Sequence, residues 1–396
     1  AGVGYGSTAK LSLNAGIQQD NFLGTGNRLA FNINTVSYSR SASISYTDPY
    51  FTVDGISLGG QIFYNEFDAG SANLVEYNNK TYGLGVNLGF PINEYVRLNF
   101  GMGYKNNGIT RLQTYEQIQE FYEIYSDPND PDAGLDFENF DISAAISRTT
   151  LNRGTFPTAG SQQTLSYKMT TPNSDTQYFK VNLDTKWYFP LSRDQSWSFL
   201  TRFQAGYGNG YGQTNGNDQI LPFWENFRTG GPESFRGFDT NTVGPRAVFR
   251  YPTPIPGTPD PVNSGQGCCL GPDHDYINVS TRSVGGNAIV LAGLELIVPT
   301  PFLDESYSNS VRSSFFVDAG NVWDTEFNLD DYQDLAENEF AKIADYSDVG
   351  RFRASAGLSI QWLSPMGPMI FSFARALKEE EGDDTKFFSF NIGTTF

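Results

Sequence analysis

The sequence has 396 residues, enough for two or three ordinary domains or for one large all-β domain. Aromatic residues make up 15% (32 Phe, 22 Tyr, 5 Trp) and glycine holds 41 positions. Charged residues fall to 18%, against about 25% in ordinary soluble proteins, a composition that favours strands and argues against disorder. With 26 bases against 44 acids the formal charge is −18, which leaves no basic stripe for a nucleic-acid partner.

The chain opens on Ala-Gly-Val-Gly-Tyr-Gly, with neither an initiator Met nor a charged segment followed by an apolar one. The reading is that any targeting signal has been removed and that the chain starts inside a strand. Period-two alternation then predicts strands near 1–6, 9–19, 28–38, 41–47, 56–67, 80–90, 95–108, 138–149, 161–171, 177–190, 196–212, 285–299, 311–323, 351–363, 368–377 and 386–396. Val96, Leu98, Phe100, Met102 and Tyr104 alternate with Arg97, Asn99, Gly101, Gly103 and Lys105, giving one apolar face and one polar or small face. Phe179 to Phe189 and Phe352 to Trp362 repeat the pattern. The partly apolar run from Ser283 to Leu294 meets Glu295 too soon to make a spanning helix, but a transmembrane strand keeps a low mean hydropathy because its faces alternate. Sixteen strands of about ten residues predict an all-β fold: an antiparallel transmembrane barrel filling residues 1–396, with long loops at 109–137 and 213–284 on the extracellular side. Leu112 to Tyr125 carries Tyr115, Ile118, Phe121, Tyr122 and Tyr125 at helical spacing, ended by the breaker Asp127-Pro128-Asn129-Asp130-Pro131, so a short helix is predicted there.

Catalytic and cofactor readings find little support. His274 stands between Asp273 and Asp275, but no G-x-S-x-G elbow accompanies it, and adjacency in sequence is not triad geometry. Cys268 and Cys269 are vicinal, a poor arrangement for a tetrahedral metal, which leaves a loop cystine or two exposed thiols. Asp127, Asp130, Asp132 and Asp136 lack EF-hand spacing and read as a solvated acidic loop. Gly206, Gly208, Gly210 and Gly212 alternate with Tyr207, Asn209 and Tyr211 as a glycine-rich strand end, and there is no Walker A sequence. No catalytic residue, metal or cofactor is expected.

Gly230-Gly231, Ser234-Phe235-Arg236-Gly237-Phe238 and Asn241-Thr242-Val243-Gly244-Pro245 are similar to the [VI]-R-G-[FY] signature of the sixth extracellular loop in the BamA family of outer-membrane β-barrel assembly factors, the first of five segments that together resemble that family. Phe316-Val317-Asp318-Ala319-Gly320 resembles its F-x-D-x-G strand. Arg353 to Ala374, with Trp362 and Ser364-Pro365-Met366-Gly367-Pro368, resembles its penultimate hairpin, and Phe388 to Phe396 ends in an aromatic strand signal. Asp20 to Gly26 and Thr47-Asp48-Pro49-Tyr50-Phe51 look like its first turns. Phe235 stands where the family has Val or Ile, and the family's loop cysteines are usually separated. The resemblance implies bacterial outer-membrane localisation, a non-enzymatic role in inserting barrels, and unfolded barrel clients and lipid as partners. It also implies accessory lipoproteins, met through periplasmic POTRA domains that this sequence does not include. A passive porin and a two-partner secretion transporter of the same superfamily are the rival readings.

Two constellations follow. Glu295 alternates with Leu294 and Leu296, and Asp318 with Val317 and Ala319, so parity turns both acids to the lumen, because a charge on the lipid face is costly. The resemblance adds that Arg236, within Phe235-Arg236-Gly237-Phe238, folds in to pair with them; the alternative is that the acids line a wet channel. The second is the seam between the first and last strands. Gly2, Gly4 and Gly6 make strand 1–6 weak, while Phe388, Phe390, Ile392 and Phe396 share a face of the last strand, which holds Gly393 midway. Either the short first strand marks an openable seam, whose edge templates another strand, or the sequence merely begins there.

Overall fold

The computed structural model describes residues 1–7, 10–125, 135–214, 216–254, 270–300, 310–335, 337–364 and 367–392. Sixteen strands close into an antiparallel barrel. In chain order they begin with β1 (Gly2–Gly6), β2 (Lys10–Gln19), β3 (Arg28–Val36), β4 (Ser39–Asp48), β5 (Ser57–Asp68), β6 (Asn78–Pro91), β7 (Val96–Thr110) and β8 (Leu135–Thr149). Then come β9 (Gly160–Thr170), β10 (Tyr178–Pro190) and β11 (Ser198–Gly210). The wall resumes after the long loop with β16 (Ala288–Val298), β17 (Val311–Trp323), β18 (Arg353–Ser364), β19 (Gly367–Lys378) and β20 (Phe388–Ile392).

The barrel is inside out relative to a soluble fold. Ile17, Ile62 and Met102 are 75%, 66% and 68% exposed on the outer surface, whereas Lys105, Glu295 and Asp318 are 8%, 4% and 3% exposed within. Lipid is the solvent that makes such an outer face stable. No helix among the described residues is long and apolar enough to cross a membrane, so spanning falls to the strands.

The loops differ from their prediction. β7 runs to Thr110 and β8 begins at Leu135, so the strands extend a few residues into each end of the predicted 109–137 loop, and a 3-10 turn at Glu116–Ile118 leads into α1 (Gln119–Tyr125). Residues 213–284 are not one irregular loop. They contain β12 (Gln213–Thr214) paired with β13 (Asn217–Asp218), a 3-10 turn at Phe223–Glu225, and the hairpin of β14 (Arg246–Pro254) with β15 (Leu270–Ser283). Aromatic residues build this end inward: Tyr115, Ile118 and Phe121 pack with Leu74, Tyr77, Phe137 and Phe223. Val248 and Ile277 pack with Phe327, Tyr332 and Tyr346. The apolar core therefore caps one mouth of the barrel.

Candidate functional site

The tip of the 213–284 segment lies in the lumen. Phe235 and Phe238 are each 1% exposed and pack with Val243, Ile289, Leu291 and Val322 of the tip and wall. Gly237 between them has φ +90°, and a Cβ there would stand 2.9 Å from the Ser355 Cβ, so both conformation and space require glycine. Turning the tip this way aims Arg236 at the wall. Its Nε donates to Asp318 Oδ2 at 2.8 Å, its Nη2 to Asp318 Oδ1 at 3.0 Å, and its Nη1 to Glu295 Oε2 at 3.0 Å. The guanidinium also lies 3.4 Å from the centroid of the Phe316 ring. Burial pulls the Arg236 pKa down, but Glu295 and Asp318 outweigh it and raise it, so the cation is fixed.

Three supporting groups escaped the sequence reading. Arg202 on β11 donates to Asp318 Oδ1 at 2.8 Å, so two guanidiniums share that carboxylate. Ser314 donates to Glu295 Oε1 at 2.5 Å, and Ser355 donates to the Arg236 carbonyl at 2.5 Å. Strand parity was the available signal: Arg202 follows Leu200, which lies opposite Glu295 on the same face.

A second anchor has the opposite polarity. Glu225, on the 3-10 turn of the same segment, accepts from Lys168 at 2.9 Å, Lys105 at 3.2 Å and the Tyr178 hydroxyl at 2.9 Å through Oε1. Lys180 bonds the Glu225 carbonyl at 2.5 Å and approaches Oε2 at 3.5 Å. Burial raises the Glu225 pKa, but Lys168, Lys105 and Lys180 outweigh it and hold the carboxyl well below the ordinary range. No local spacing marks this cluster, because each lysine sits on a different strand.

The tip also grips the end of the barrel wall. Lys386 N donates to the Gly237 carbonyl at 2.9 Å, Asp239 N to the Asp384 carbonyl at 2.8 Å, and the Lys386 ammonium pairs with Asp239 at 3.1 Å. Asn391 of β20 donates to Glu233 Oε1 at 2.9 Å. Below the tip a cavity of about 580 Å³ remains, lined by Lys186, Arg202, Glu233, Arg312 and Gln361.

At the seam, Tyr5 lies opposite Ile392 and Gly6 opposite Asn391. Ser7 adds its N and Oγ as donors to the Phe390 carbonyl at 2.8 and 2.9 Å, and its Oγ accepts from Phe390 N at 2.8 Å. Val3 and Tyr5 point outward, leaving Gly2, Gly4 and Gly6 on the inner face. Tyr5 and Phe390 rings meet at 5.8 Å, and Phe388 stacks on Phe390 at 5.9 Å. Among the described residues this is the shortest ladder of the barrel. Gly393 and Phe396 lie outside the described residues, as do Cys268, Cys269, Asp127, Asp130 and Asp132. His274 falls on β15, whose side chains at that point are likewise not described.

A sequence model described as the Omp85 superfamily domain matches residues 21–396. The chain belongs to the Omp85 superfamily. Within it, the outer membrane protein assembly factor BamA of Neisseria meningitidis is 29% identical over 402 residues, covering 99% of this chain and 46% of that protein. BamA of Buchnera aphidicola is 40% identical over 108 residues, 27% of this chain and 18% of that protein. The chain thus spans less than half the length of these curated relatives. The crystal structure of BamA from Haemophilus ducreyi lacking POTRA domains 1–3 superposes with a TM-score of 0.85 at 35% identity, covering 100% of this chain and 69% of that one. CdiB from Acinetobacter baumannii, at 12% identity and a TM-score of 0.54 over 98% of this chain and 58% of that one, shares the fold. Membership and architecture together place this Omp85 barrel, a BamA-like one, in the bacterial outer membrane.

Proposed function

We propose that this chain is the membrane-embedded part of a machine that inserts and folds other β-barrels into the outer membrane, by strand addition at the seam between β1 and β20. The observation that carries the reading is the seam itself. Among the described residues two pairs and one serine join β1 to β20, against five pairs in each of the flanking ladders, β1–β2 and β19–β20, and fourteen in β6–β7 and β7–β8. Separating β1 from β20 exposes two edges, and an exposed edge pairs with any extended chain through backbone hydrogen bonds, whatever its sequence. Unfolded barrel proteins are the clients that fit such an edge.

The work is binding and release, with no covalent step. Arg236, Glu295 and Asp318 hold the loop tip across the lumen, which disfavours free diffusion through the pore and so a porin role. Likeness to proteins named as BamA supports the assembly reading over the secretion one, since the CdiB resemblance is one of fold. Surrounding lipid is a direct partner of the outer face, and accessory lipoproteins would be met through periplasmic domains of the full-length protein. The test is depletion of the full-length protein in its host, followed by measurement of whether unrelated barrels reach the membrane. Their arrival at an undiminished rate overturns the proposal.

A further inference from the structure

We propose that the outward face of β19, at the end of the barrel that carries the long loops, binds the phosphate of an anionic lipid, with Arg375 and Lys378 as its ligands. The orientation of Arg375 follows from its neighbours. Ser372 and Ala374 are 1% and 3% exposed, and Ala374 lies against Gly237 of the lumenal tip, so these even-numbered positions face inward; a bulge between Ala376, opposite Ser355, and Lys378, opposite Ala354, then shifts the alternation and turns Lys378 outward beside Phe352. Phe373, Arg375 and Leu377 therefore project to the lipid side, with Phe373 37% and Leu377 64% exposed.

An arginine between two lipid-facing apolar side chains is costly at the middle of a bilayer and nearly free at its interface, provided the guanidinium finds an acceptor. Among the described residues Arg375 has neither an ion pair nor a hydrogen bond. The 379–387 loop above it is acidic, but Glu380 is taken by Arg351 at 2.8 Å and Asp383 by Arg353 at 2.9 Å, and Glu379, Glu381 and Asp384 extend into solvent without reaching Arg375. No acceptor among the described residues meets it, and one from outside the chain fits the position.

The surroundings say what it is. Arg375 lies three residues from Lys378, about 10 Å along the strand, so its side chain can rise along Leu377 towards the rim. The Lys378 ammonium is already held there, 3.7 Å from the centroid of the Phe352 ring and 3.4 Å from the Gly350 carbonyl. Phe387, 68% exposed, meets Phe373 edge-on at 6.1 Å and extends an apolar floor beneath the two cations. Acyl chains would lie on Phe373, Leu377 and Phe387, and the phosphate would bridge the guanidinium and the ammonium. A free phosphate would use the cations but not the floor, which assigns the site to a lipid headgroup.

The test places a fluorophore at Leu377→Cys in the full-length protein, with Cys268→Ser, Cys269→Ser and serine at any cysteine outside this sequence removing the other thiols, in phosphatidylcholine nanodiscs. Brominated phosphatidic acid is expected to quench at a several-fold lower mole fraction than brominated phosphatidylcholine. Arg375→Gln and Lys378→Gln should each reduce that preference about fivefold or to nothing. Heat-resistant electrophoretic migration of the variants verifies folding, and Arg375→Leu, which suits the lipid face, provides a second loss of charge if the glutamine variant is unstable. Equal quenching by the two lipids in the unsubstituted site, or a preference that survives loss of both cations, overturns the proposal. So does abolition of the preference by inorganic phosphate at constant ionic strength, which would make the ligand a free anion.

Discussion

Arg236 and Asp318 face each other as a fork to a fork, with two parallel hydrogen bonds of 2.8 and 3.0 Å between residues 82 positions apart, both side chains nearly excluded from solvent. A lysine could supply the charge but not the second bond. Losing one partner of a buried pair typically costs about 3–5 kcal/mol, less where lumenal water can enter. Arg236→Ala is expected to loosen the tip by about 2–3 kcal/mol and impair assembly, with Arg236→Lys between it and the parent. Asp318→Ala should do likewise. Protease sensitivity of the 213–284 segment measures this in a double-mutant cycle, where the pair should be far less than additive because Arg236, Glu295 and Asp318 act as one network. Coupling near zero would mean that the arginine docks by other contacts.

Seam opening has a geometric test. Gly6 and Asn391 are opposed across β1 and β20, so Gly6→Cys with Asn391→Cys should crosslink the strands when oxidised. Client insertion should stop in the oxidised form and return on reduction, with the barrel folded throughout. Full activity of the crosslinked protein would sink the lateral-opening mechanism.

Glu225 anchors the segment through three lysines, and Glu225→Gln would leave their charges facing a neutral amide. The expected loss is about 2–4 kcal/mol of loop docking, read as faster cleavage of the segment with the barrel wall intact. Adding Lys168→Met should recover part of it, because it removes one of the orphaned cations.

Acid and base act on this end in opposite senses. Glu225 ionises more readily in the folded protein than at its ordinary 4.5, so its contribution is whole above that value and is lost as the pH falls through the folded one. Asp324, just beyond β17, is raised by burial to about 6. The unfolded carboxyl loses its proton near 3.8, so the folded form is penalised progressively between 3.8 and about 6 and fully above. Asp324→Asn should therefore protect the loops by up to about 3 kcal/mol above pH 6 and make no difference below pH 4, measured by proteolysis across that range.

Gly237→Ala should be worse than its size suggests, by about 2 kcal/mol or more, because φ of +90° and the Ser355 Cβ both oppose the methyl group. Loop proteolysis would again report it, and an unchanged rate would show that the tip can reseat.

Alternation exposed the wall because lipid and lumen demand opposite chemistry at every second residue, as Val96 to Tyr104 illustrate. The hairpin of β14 and β15 hid for a physical reason: Pro252 and Pro254 interrupt β14, and proline ordinarily demotes a strand. Glu295 and Asp318 were legible through parity on their own strands. Glu225 was not, because its meaning depends on Lys105, Lys168 and Lys180 converging from β7, β9 and β10, which is a property of closure.

The two anchors of the long segment differ in sign: a cation of the loop among acids of the wall, and an anion of the loop among lysines of the wall. Seated the wrong way round, the segment would bring Arg236 to Lys105, Lys168 and Lys180, and Glu225 to Glu295 and Asp318, with like charges meeting at both ends. The plug is therefore keyed, as a polarised connector is, and a refolding chain has one orientation in which it can enter its own pore.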